Sequence, residues 1–125
     1  MESLTKNHEF KRLYNKGKNA ASKYVVVYCA GNYSAVNRLG ITVSTKLGGA
    51  VIRNRIRRRL KEIYRLNELN LRKGYNIVFV ARHGSRDAKW KELESSVLYL
   101  FRKLGLSRNG DYSAGSSVTL EHKKI

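Results

Sequence analysis

Eight cations crowd into residues 46–65: Lys46, Arg53, Arg55, Arg57, Arg58, Arg59, Lys61 and Arg65, against the single acid Glu62. This segment holds a net +7, close to half of the chain's formal +17. Placed at about 100° per residue, Arg53, Arg57 and Lys61 form one i, i+4, i+8 ridge, with Asn54, Arg58 and Arg65 beside it. Ile52, Ile56, Leu60 and Ile63 take the other side. Like charges four apart cost roughly 0.2–0.5 kcal/mol each, and a merely solvated helix would intersperse glutamates to offset them. The pattern therefore predicts a polyanion. Arginine suits phosphate because its planar fork binds two oxygens at once and stacks on bases. A membrane-surface helix would carry Trp, Phe or Leu on its apolar side, whereas this side is narrow and mostly β-branched. Gly48-Gly49 could bring backbone N–H groups near a phosphate. No Lys-Ser/Thr follows them, so the pattern is not a phosphate loop.

A second constellation is aromatic. Phe10 and Tyr14 share a stripe of a short N-terminal helix, and Tyr24, Val26 and Tyr28 alternate along a strand. A groove between the two would suit single-stranded nucleic acid, since stacking is worth roughly 1–3 kcal/mol per base. The same rings would equally serve as core beneath the helix, and the residues alone leave both readings open.

Catalytic chemistry finds no such grouping. Metal-assisted phosphodiester cleavage needs converging carboxylates, and Glu2, Glu9, Glu62, Glu68, Asp87, Glu92, Glu94, Asp111 and Glu121 are dispersed. His8, His83 and His122 sit in no metal-ligand spacing. Cys29 reads as a small core residue. Being the one cysteine, it excludes a disulfide framework and zinc sites built on several cysteines. The chemistry predicted for this chain is binding.

The 125 residues suffice for one domain, and 42% hydrophobic residues supply a core. No apolar run approaches a membrane span, and no signal-peptide core opens the chain. Together with a pI near 10.4, this predicts a soluble, intracellular protein with nucleic acid as partner. The elements that must position the two constellations follow from periodicity. Residues 8–16 read as a helix capped by Asn7 and ended by Gly17. Residues 23–30 and 38–45 read as strands joined in an antiparallel hairpin. A helix is predicted over 51–66, and an interior strand over 75–81. The last helix has Asp87 as its cap and ends at Gly105; its stripe is Trp90, Leu93, Val97, Leu100, Phe101 and Leu104. From 106 onward Ser, Gly and Asn predict a flexible polar tail. The expected class is a single α+β domain.

The stretch Lys46-Leu-Gly-Gly-Ala-Val-Ile-Arg-Asn-Arg-Ile-Arg-Arg-Arg-Leu-Lys61 closely resembles the signature of the bacterial ribonuclease P protein component. The likeness extends to Asn7-His-Glu-Phe10, Tyr14, Gly17, Tyr24-Val-Val-Val-Tyr28, Tyr75-Asn-Ile-Val-Phe-Val-Ala-Arg82 and the final helix. The resemblance implies an α-β-β-β-α-β-α domain over residues 1–105. Its four-stranded mixed sheet would include a short strand near 18–21 and a left-handed crossover. It also implies the protein subunit of a cytoplasmic ribonucleoprotein that removes the 5′ leader from precursor tRNA. Lys46, Arg53, Asn54, Arg55, Arg57, Arg58, Lys61 and Arg65 would then bind the catalytic RNA. Phe10, Tyr14, Val26, Tyr28 and Arg82 would hold the leader, with Tyr14 standing where the family often has phenylalanine. Catalysis would belong to the RNA and its Mg2+, with no membrane or small-molecule partner. On composition alone, a small structural RNA-binding protein of ribosomal type remains the alternative; the Arg53-Asn54-Arg55 element distinguishes the two.

Overall fold

Strict alternation orients the sheet. In strand β3 (Val25–Gly31), Val25, Val27 and Cys29 are buried on one face while Val26, Tyr28 and Ala30 are half-buried on the other. The computed structural model describes residues 2–108. Around β3 it places β1 (Glu2–Ser3), α1 (Asn7–Lys16), β2 (Lys18–Ala21), β4 (Arg38–Thr42), α2 (Ala50–Asn67), β5 (Tyr75–Ala81) and α3 (Trp90–Lys103). The sheet order is β1-β4-β5-β3-β2, with β1 parallel to β4, β4 parallel to β5, and the other pairs antiparallel. The short strand at 18–21 is present, and the sheet has five strands instead of four because Glu2–Ser3 adds to the edge of β4.

The predicted hairpin does not form. β5 lies between β3 and β4, pairing Val26 with Val80 on one side and Thr42 with Val80 on the other. Ile77, Val78 and Phe79 are all buried, so β5 needs cover on both faces and is best satisfied in the middle of the sheet. The six residues between β3 and β4 must span two strand spacings, roughly 10 Å. Asparagines hold that span. Asn32 Nδ2 donates to the Val36 carbonyl and to Asn76 Oδ1, while Asn37 Oδ1 accepts from the Tyr75 N–H and its Nδ2 donates to the Arg72 carbonyl.

Helices cover both faces. α2 and α3 pack over Val25, Val27, Cys29, Ile77 and Phe79, with Tyr64 and Phe101 flanking Phe79 at ring separations of 6.4 and 5.9 Å. The predicted stripe of α3 is the buried one, with Trp90 half-buried at its start. On the opposite face α1 sits on a smaller cluster of Leu4, Leu13 and Val78, with Phe10, Tyr28, Ala30 and Val80 at its margin.

Helix starts and the C-terminal boundary differ from expectation. Asn7 is the first helical residue, and Lys6 takes the cap position. α3 begins at Trp90 after Lys89, not after Asp87. Neither lysine has an acceptor to offer. Instead Glu9 and Glu92, three residues on, accept from the Lys6 and Lys89 N–H groups, which is the reciprocal half of a capping box. Leu106 is buried, and Ser107 bridges to Leu71. The folded domain therefore reaches at least Arg108, whose N–H donates to the Asn70 carbonyl. The remainder of the expected tail lies outside the described residues.

Candidate nucleic-acid interface

The basic helix is entered through a tight turn. Ser44 Oγ accepts from the Lys46 N–H at the start of a 3-10 turn, Thr45–Leu47. Gly48 then adopts φ +147°, and a Cβ there would sit 2.9–3.2 Å from the Ile52 side chain, so the turn requires glycine. Arg53 Nε donates back to the Gly48 carbonyl at 3.1 Å, tying the first turn of α2 to its lead-in. Ile56, Leu60, Ile63 and Tyr64 face the core. Tyr64, outside the predicted stripe, is fully buried with its hydroxyl donating to Glu68 at 3.3 Å. Burial, with Glu68 adding to it, pushes its pKa up to about 12.

The predicted RNA-facing side chains turn outward. Lys46, Asn54, Arg55, Arg58, Lys61 and Arg65 are exposed, and Arg53 and Arg57 are half-exposed. Arg57 Nη1 reaches Asn54 Oδ1 at 3.4 Å. Among the described residues, Arg65 is the one cation of this segment that meets a carboxylate, Glu62, at 2.6 and 2.9 Å. That contact holds the Glu62 carboxyl below its ordinary value. The face consequently presents nearly undiluted positive charge.

The aromatic constellation gathers on the α1 side of the sheet. Phe10 lies directly over Gly40, where a Cβ would come within 2.7 Å of the ring. Tyr14 is 39% exposed, meets Tyr28 edge-on at 5.0 Å, and shares a 3.1 Å hydrogen bond with Thr42 Oγ1. Val26 and Tyr28 are half-buried beside them. The result is a partly exposed patch of ring edges and methyl groups on this side of the sheet. Val80 and Thr42 belong to the same row as Val26. Reasoning from sequence missed both, because β5 read as apolar throughout and the register with β4 was not visible. Tyr24 does not join this face. It precedes β3 and packs against the opposite cluster, with Lys23 Nζ 5.2 Å over its ring. Exposed Arg82 follows β5 and donates from Nη1 to the Ser22 carbonyl at 3.1 Å.

Among the described residues no three His, Cys, Asp or Glu side chains converge. His8 and His83 are exposed and apart in the chain. Burial raises the pKa of the Cys29 thiol and leaves it unreactive. No helix among the described residues is long and apolar enough to cross a membrane.

Comparison with known proteins agrees with this geometry. The ribonuclease P family model matches residues 1–105. The ribonuclease P protein component of Clostridium botulinum (strain Langeland) is 44% identical over 104 residues, covering 82% of this chain and 94% of its own length. That of Alkaliphilus oremlandii is 46% identical over 103 residues, covering 82% and 90%. Among solved structures, the RNase P protein of Staphylococcus aureus aligns with a TM-score of 0.77 at 32% identity, covering 87% of this chain and 99% of that one. The Thermotoga maritima protein aligns at 0.74 and 28% identity, covering 89% and 100%. A match over residues 1–105, basic helix and aromatic patch together, means that this chain belongs to the ribonuclease P protein family, a subunit of the tRNA-processing ribonuclease.

Proposed function

We propose that the protein grips two RNAs at once. The exposed side of α2, from Lys46 through Arg53, Asn54, Arg55, Arg57, Arg58 and Lys61 to Arg65, lies against the folded catalytic RNA of ribonuclease P. The patch of Phe10, Tyr14, Val26 and Tyr28, with Arg82 at its end, takes the single-stranded 5′ leader of precursor tRNA. The observation that carries this reading is the charge on α2: outward guanidiniums with one carboxylate partner among them. Unpaired arginines are retained where an anion arrives to neutralise them. Each phosphate neutralised releases counterions and strengthens binding at low salt.

Division of labour follows. Mg2+ would be held by the RNA and would supply the hydrolytic chemistry there, with no residue of this chain assigned to it. The chain screens repulsion between two RNAs and orients the leader by stacking on Tyr14 and Tyr28. Both effects matter most when Mg2+ is scarce. Reconstitution with a bacterial ribonuclease P RNA at low Mg2+ tests this: leader removal should be faster with the protein than without it. Cleavage no faster with protein would overturn the assignment. So would co-sedimentation of the protein with ribosomal subunits at one copy each, the behaviour of a ribosomal protein.

A further inference from the structure

α2 carries a second cationic edge, of which the reading above uses Arg55 but not Arg59. About 200° around the helix from Arg57, Arg59 stands one turn beyond Arg55, on the side that meets the 3-10 turn His83–Arg86. Arg55 Nη1 already reaches the Arg86 carbonyl at 3.4 Å. Arg59 Nη1 is shielded from solvent yet has no hydrogen-bond partner among the described residues. The nearest helical acid, Glu62, is engaged by Arg65, and Asp87 forms no ion pair among the described residues. Burial and the neighbouring Arg55 both act against the charge on Arg59.

A half-buried guanidinium beside a second one, with an unsatisfied donor and no acid, is costly in the free protein. The missing acceptor must bear negative charge and several oxygens, to answer both forks. We propose that Arg55, Arg59 and the turn at 83–86 form a phosphate site, and that it takes a backbone phosphate of the RNA subunit on the edge of α2 opposite the Arg53–Arg57–Lys61 ridge. α2 then wedges between two RNA segments. This rests on the RNA-binding role proposed above and adds a second line of contact to it.

The test is Arg59→Met, which keeps the aliphatic stem and removes the fork. Affinity for ribonuclease P RNA is measured across a potassium chloride series, beside thermal melts of the free protein with and without inorganic phosphate. The variant should bind RNA several-fold more weakly at low salt, with a slope of log K against log salt shallower by roughly 0.7–0.9. Its melting temperature should match or exceed the parent's, because an unsatisfied buried donor has been removed. Arg59→Lys, a point charge without the fork, should recover the slope but not the full affinity. Parental affinity and slope in Arg59→Met would overturn the site. A lower melting temperature would also overturn it, since the guanidinium would then have a partner inside the fold. Phosphate that stabilises the parent but not the variant, with RNA binding unaltered, would mark a free-anion site and overturn the assignment to RNA. If the parent itself fails to bind RNA, the broader reading fails instead.

Discussion

Tyr28 and Phe10 share one cluster but do different jobs. Phe10 covers Gly40 beneath α1, whereas Tyr28 offers a half-exposed ring edge-on to Tyr14. Tyr28→Ala should therefore cost about 1–3 kcal/mol of affinity for leader-bearing precursor tRNA and leave mature tRNA binding nearly unchanged. Equilibrium binding to the two substrates checks this; equal losses would make the ring core. Tyr28 was visible in the sequence as part of a period-two run, and so were Val26 and the buried Val25, Val27 and Cys29. Tyr24 continued the same run on paper, yet the strand begins one residue after it. Arg59 was counted as charge but assigned to no face. A cation's burial depends on what packs beside it, and helical spacing alone does not carry that information.

At the level of elements, the arginines of α2 act as a set anchored at its first turn. Arg53→Ala with Arg55→Ala removes two phosphate partners and the Arg53 bond to Gly48. The salt dependence of RNA binding should then flatten by roughly 1.4–1.8 in slope, measured by titration at several salt concentrations. α1 is fastened differently. The half-buried Arg38 at the start of β4 holds Glu9 with both nitrogens, Nη2 to Oε1 at 3.3 Å. That hydrogen bond lowers the Glu9 pKa below its ordinary 4.5. A carboxyl depressed in the folded state stabilises it above the unfolded value, and that stability is lost as pH falls through the folded one. Glu9→Gln should lower the melting temperature near neutrality and lose part of the parent's decline below pH 4.5; thermal melts across that range decide it. Periodicity made α2 and α3 legible because each has one continuous apolar stripe. β2 escaped the residue reading, since Lys-Asn-Ala-Ala alternates nothing hydrophobic, and two-residue β1 is too short to register. The hairpin failed because nearest neighbours in sequence usually pair, and only the two-sided burial of β5 overrides that prior.

For the whole molecule, +17 on 125 residues is a standing repulsion, offset among the described residues by few ion pairs. Screening should relieve it: the melting temperature of the free protein should rise with potassium chloride. A fall over the same series would mean that attractive pairs dominate. The fold class could be read from composition and element order, and the surface charge from counting. Which strand occupies the centre could not, because pairing between β4 and β5 joins residues far apart in the chain. That placement has a consequence for how the protein is made. The ribosome delivers both neighbours of the central strand, and the arginine helix, before the strand that joins them. Until residue 81 has emerged, the nascent chain exposes two unpaired strand edges beside a strongly cationic segment. Folding is thus postponed until β5 has been delivered, and the growing chain meets cellular RNA while still unable to close its core.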